Sequence, residues 1–177
     1  MLFSTRTISL MKESQLNVTL KNSFINYGGW CHKISDGVGG IGIQNPFDIF
    51  GIINNKPLYQ ETKLVKGLYA FNFNRIEKHQ FENLTFIENL LSKTIPDKFY
   101  SLIVVGFYKP RKFFYVMFFN IKTLNEFKKS GIMSIKKKEL QKYIEEGKYL
   151  SVVWETDKTG KRKQFVKDIN RIDEVII

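Results

Sequence analysis

Asp48, Glu61 and Lys63 are the residues of this 177-residue chain whose types and spacing could do chemistry together. Successive side chains of a strand alternate faces, so Glu61 and Lys63, two apart, share one side. Asp48 opens a neighbouring apolar run. A turn centred on Asn54–Asn55 sets it opposite roughly residue 61 of an antiparallel partner. Two carboxylates and a backbone carbonyl make an all-oxygen site that suits Mg2+, with Mn2+ able to substitute. Thr62, between Glu61 and Lys63, offers the natural carbonyl. A cation there would position and acidify a water and neutralise charge on a phosphate under attack. A lysine alongside would orient the water or stabilise the pentavalent transition state. The bland alternative is a solvated strand face, since an acid and a base two apart on a half-exposed strand are common. Against it, Asp48 follows Pro46–Phe47 at the start of an apolar strand, where aspartate is disfavoured.

The whole chain is basic. Its 28 Lys and Arg against 17 Asp and Glu give a formal charge of +11, which concentrates polyanions at the surface and makes nucleic acid the leading partner class. A membrane surface fits less well, because no basic amphipathic segment has a clean apolar face. The apolar runs Leu102–Phe107 and Phe113–Phe119 are too short to span a bilayer. Cys31 is the single cysteine, which excludes a disulfide framework and a cysteine-based zinc site. Residues 1–11 lack a sustained apolar core, so no signal peptide and a cytoplasmic location are expected.

The elements that must position the trio follow from periodicity. A helix is predicted from Glu13 to about Tyr27, on Leu16, Leu20, Phe24 and Ile25, ended by Gly28–Gly29. A short strand over Trp30–Ile34 precedes the glycine-rich loop Gly37–Gly42. Strands Asp48–Ile53 and Leu58–Lys63 flank a turn at Asn54–Asn55–Lys56–Pro57. A second helix starts near Glu77 and carries His79, Phe81, Leu84, Ile87 and Leu91, until Pro96–Asp97 break it. Leu102–Tyr108 and Phe113–Ile121 form a hairpin around Lys109–Pro110–Arg111, and Phe113–Phe114 with Phe118–Phe119 read as buried on both faces. Helical pieces follow at Thr123–Lys129 and Lys136–Glu146. The order α-β-β-β-α-β-β-α predicts an α/β sandwich with a mixed central sheet. One domain over residues 1–177 is expected, with 1–10 a mobile arm and 158–177 a basic C-terminal extension.

Asp48, then Glu61 and Lys63 after a short turn, resembles the PD-(D/E)XK nuclease pattern. The likeness extends to one branch, the RecU-type Holliday junction resolvases (the penicillin-binding-protein-related factor A family). Glu13, Leu16, Asn17 and Thr19 resemble its first-helix pattern. His32 and Lys33 are similar to a basic pair after that helix, and Phe71–Gln80 to an aromatic strand leading to a helix that opens with His-Gln. Ser134–Leu140 shares a late segment's basic-then-Glu-Leu rhythm. The resemblance implies a restriction-endonuclease-like core, a mixed central β-sheet flanked by helices, working as a homodimer that cuts branched DNA such as four-way junctions. By position, Asp48 and Glu61 would be metal ligands and Lys63 the catalytic lysine. Glu13 would sit near the metal, directly or through water, and Gln80 would line the site by the scissile phosphate. DNA contacts would come from Lys33, Lys66, His79, Lys136, Lys137 and Lys138. The chain departs from that branch in having only Ser35–Phe47, and no long stalk, before the first aspartate.

Other readings stay open. Gly37, Gly39, Gly40 and Gly42 lack a nucleotide-binding fingerprint and border the site as a loop. His79 is read either as a DNA contact or as a capping residue. Lys161–Arg162–Lys163 is placed at a hairpin turn around Gly160. Restriction, homing or general DNA-processing enzymes of the superfamily are alternatives, as is a non-catalytic DNA-binding protein of the same fold.

Overall fold

The chain's structure is a computed structural model that describes residues 11–34, 45–156 and 159–177. The expected arm at 1–10 and the loop at 37–42 lie outside these residues.

Helix α1 (Glu13–Asn26) buries Leu16, Leu20 and Phe24, the four-residue rhythm that sets one face inward. It stops at Gly28, whose φ of 87° is left-handed, and Gly29 N–H returns to Phe24 O at 2.8 Å. Strands β1 (Trp30–Lys33), β2 (Ile49–Ile53) and β3 (Lys56–Lys66) then form an antiparallel sheet. Asn54 and Asn55, at φ 50° and 60°, make a two-residue left-handed turn, whose hand matches strand twist. Lys56 and Pro57, read from sequence as part of the turn, are instead the first residues of β3. Proline is tolerated there because its pair with Ile52 is one that exchanges no hydrogen bonds, while pairing with the strand on the other side starts only at Leu58.

After the two-residue strand β4 (Phe71–Asn72), helix α2 (Lys78–Thr94) crosses over to β5 (Tyr100–Lys109), which lies parallel to β3. Strand β6 (Phe113–Asn120) pairs antiparallel with β5, as the predicted hairpin requires. Helix α3 (Ile121–Lys129), strand β7 (Ser134–Ile135) and helix α4 (Lys137–Glu145) follow. The expected α/β architecture, a mixed central sheet flanked by helices, is the one observed.

Sequence reading left the last third incomplete. Strands β8 (Leu150–Thr156) and β9 (Arg162–Val166) complete a seven-stranded sheet ordered β1-β2-β3-β5-β6-β8-β9, and α5 (Ile172–Val175) ends the chain. The basic stretch folds because Val166, Ile169, Ile172 and Val175 bury against α1's side of the sheet. Lys161–Arg162–Lys163 lies beside Gly160, which turns at φ 78°. On the other side of the sheet, Val65, Ile103, Val105 and Phe107 pack under Phe81 and Leu84 of α2, Leu124 of α3 and Leu140 of α4. In β6, Val116–Phe119 are buried as read, whereas Phe113 and Phe114 are half-exposed.

Gly51 allows β1 to lie close on β2: a Cβ there would overlap the Trp30 carbonyl oxygen and meet Cys31 Sγ. Gly51→Ala is therefore expected to lower stability by about 1–3 kcal/mol, read as a fall in the urea midpoint at unchanged m-value.

Candidate active site

The three residues converge where β2 ends. The β2–β3 pairing ends at Ile49–Gln60, so Asp48 lies one residue beyond the last pair. There the ladder loses its regularity. Asp48 N–H donates to Gln60 O (3.0 Å), and Asp48 O accepts from Ile34 N–H at the end of β1 (2.8 Å). The carboxylate Oδ2 accepts the N–H of Thr62 at 3.0 Å. A side chain thus takes the place of the backbone acceptor that a longer β2 would have supplied. The Thr62 carbonyl projects from the same strand edge as its N–H, which aims it toward Asp48. Two residues on, Leu64 O accepts from Arg75 Nη2 at 2.8 Å, so a guanidinium and a carboxylate finish the edge that β2 leaves.

Glu61 and Lys63 lie on the α2 side of β3, with Tyr59 and Val65. They are 1% and 7% exposed, and Lys63 Nζ donates to Glu61 Oε1 at 2.8 Å. The solvated-face alternative therefore fails: this acid and base are core residues. Among the described residues Glu61 Oε2 has no hydrogen-bond partner. Burial, and then the Asp48 charge, push the Glu61 carboxyl up to about 8, against the opposing charge and hydrogen bond of Lys63. Glu13 adds a smaller upward push. One lysine does not offset the negative charge gathered here.

Glu13, half-buried as the first residue of α1, thus reaches Glu61 electrostatically. Among the described residues no three His, Cys, Asp or Glu side chains form a group that could hold a metal ion. Asp48, Glu61 and the Thr62 carbonyl would offer two carboxylates and a carbonyl oxygen, the donor class that a hard cation takes. The partnerless buried Glu61 Oε2 supports that fit, because it is an acceptor with nothing to accept.

The remaining candidates have local settings of their own. Gln80 Oε1 accepts the Glu77 N–H at 3.1 Å, and His79 Nδ1 lies 3.4 Å from Glu77 Oε2, so both side chains serve the start of α2. Lys33 is half-buried opposite Ile49, one residue from Asp48. Lys66 is exposed at the end of β3. Lys136, Lys137 and Lys138 are exposed at the start of α4. Arg75 was missed, since its contact with β3 depends on a long-range approach that no local spacing reveals.

No family model matches this chain, and no curated protein matches it. Among solved structures, the chain is similar to Archaeoglobus fulgidus Hjc, described as a Holliday junction resolvase from an archaeal hyperthermophile. The TM-score is 0.41 and the identity 15%, over 63% of this chain and 75% of that one. A likeness of that size assigns no activity and no residue role.

The raised Glu61 carboxyl has a consequence for stability. Below about pH 4.5 the group is protonated whether the chain is folded or unfolded. As pH rises toward about 8, the unfolded chain releases this proton while the folded chain keeps it, so stability falls across that window. In EDTA, Glu61→Gln should remove this slope and become more stable than the parent as pH approaches 8. Urea titrations at pH 5, 6.5 and 8 check it, and parallel curves for the two proteins would refute the shift.

Proposed function

We propose that this chain is a divalent-cation-dependent endonuclease that hydrolyses phosphodiesters in DNA. The observation that carries this reading is the uncompensated acid at the end of β2: Glu61 is buried with Oε2 unpartnered beside Asp48, and Lys63 alone does not neutralise the pair. Burying acids without compensation costs stability, and structural need alone gives no reason to keep them.

Asp48, Glu61 and the Thr62 carbonyl would hold the ion, Mg2+ or Mn2+, with Glu13 adding negative charge behind them. When bound, the ion supplies charge neutralisation at the phosphate and lowers the pKa of water. Lys63, released from Glu61, offers an ammonium that orients the attacking water or meets the charge that develops on the phosphoryl oxygens. Asp48 is held for its part by the Thr62 amide. Holding the geometry before substrate arrives is what such a site requires.

The basic surface supports a DNA substrate. Lys136, Lys137 and Lys138 crowd the N-terminal end of α4, where the helix dipole disfavours cations. Helix stability does not account for them, and phosphate contact does. Lys33 and Lys66 extend the same role near the site. With the RecU-type resemblance, we further propose branched DNA as the substrate and a symmetric homodimer as the acting form, giving paired cuts.

A labelled four-way junction, a linear duplex and a single strand, each with Mg2+ or with EDTA, test this. Mg2+-dependent cleavage is expected, fastest on the junction. Equal rates on junction and duplex would leave a nuclease and remove the resolvase. No cleavage of any DNA would overturn the enzyme. Asp48→Ala and Lys63→Ala should each lower the rate at least ~100-fold, with DNA affinity in EDTA largely kept.

A further inference from the structure

We propose that the exposed face of the β1–β2 hairpin is a stacking shelf for an unpaired base next to the scissile phosphate. This deepens the nuclease reading and rests on it for the identity of the ligand. Trp30, His32, Phe50 and Ile52 project from one face, with Trp30 paired to Ile52 and His32 to Phe50. Trp30 is 54% exposed, Ile52 49% and Phe50 37%. The Trp30 and Phe50 rings meet edge-on, 5.2 Å between centroids, and His32 stands 6.3 Å from Phe50. The patch is continuous and preformed.

Its position points to an occupant. Phe50 is the cross-strand partner of Tyr59, so the shelf lies on the face of the sheet that carries Glu61 and Lys63. Glu61 is the diagonal neighbour of Phe50, roughly 7–8 Å away. A strand that brings a phosphate to Asp48 and Glu61 therefore lays an adjoining nucleotide across Phe50 and Trp30. The residues on that shelf are aromatic and aliphatic, with no lysine or arginine among them, in a chain of net charge +11. Such a surface suits the face of a base and offers nothing to a phosphate. Bases inside a duplex have no free face, so the shelf gives its contact only where DNA is unpaired, at a branch point or a single-stranded end. Preference for such DNA then arises on β1–β2 without a projecting stalk.

Trp30 supplies its own probe. The chain has two tryptophans, and Trp154→Phe leaves Trp30 as the single one. Titrating that protein with oligothymidylate in EDTA should quench its fluorescence, and adding Phe50→Leu should weaken binding about 10-fold while far-UV circular dichroism stays unchanged. Trp30→Leu, followed by anisotropy of a labelled oligonucleotide, should weaken it similarly. No quenching, or affinities within twofold of the parent, would overturn the shelf. A fall in solution mass from dimer to monomer in either leucine variant, at unchanged DNA affinity, would also overturn it by showing an interface between copies. Quenching by the oligonucleotide with no Mg2+-dependent cleavage by the parent would sink the nuclease and keep the shelf as a DNA contact.

Discussion

The hydrogen bond from the Thr62 amide to the Asp48 carboxylate is the constraint on which the site depends. It forms because β2 is too short to cover β3. A fully paired edge would spend the Thr62 N–H on a backbone carbonyl and leave Asp48 pointing elsewhere. The short strand instead fixes a carboxylate against the middle of the central sheet, beside a carbonyl that projects the same way. Glu61 is brought in by alternation along β3, which pairs in parallel with β5 over Leu58–Lys66. The crossover helix α2 that parallel pairing demands then buries the face on which Glu61 and Lys63 lie.

That burial decides the electrostatics. On a solvated strand, Glu61 and Lys63 would be a screened surface pair of little consequence. Under α2 the desolvation of the carboxylate outweighs the lysine, and Asp48 adds to the imbalance. The site is thus short of positive charge by construction. Arg75, on the same edge of β3, donates to the Leu64 carbonyl.

Much of this was legible from sequence where the causes are local. The β2–β3 register up to Ile49–Gln60 followed from the two asparagines, whose tolerance of left-handed backbone fixes a two-residue turn. The end of α1 followed from Gly28–Gly29, and the β5–β6 hairpin from two apolar runs about Lys109–Pro110–Arg111. What depended on distant partners was not readable. Glu61 and Lys63 have the spacing of an exposed strand, and only α2 makes them core. Strands β8 and β9 were missed because β8 joins β6 through just Tyr115–Ser151 and Val116–Leu150, while its outer half is exposed and interrupted by Glu155. Gln80, placed at the site by family position, also has a local task that sequence did not reveal: its carbonyl oxygen accepts the Glu77 N–H at the start of α2.

The two faces of β2 show how one five-residue strand divides its work. Ile49 and Ile53 bury against α1, and Gly51 lets β1 close over them. Phe50 and Ile52 contribute nothing to that core and remain exposed. Edge strands commonly carry charge to prevent association, and the aromatic face here is what the proposed base contact would cover. Catalytic groups need the low dielectric under α2, whereas recognition of a base needs an open ring. Strand alternation on β2, with Asp48 one residue before Ile49, would let the proposed base contact and the proposed cation site lie side by side.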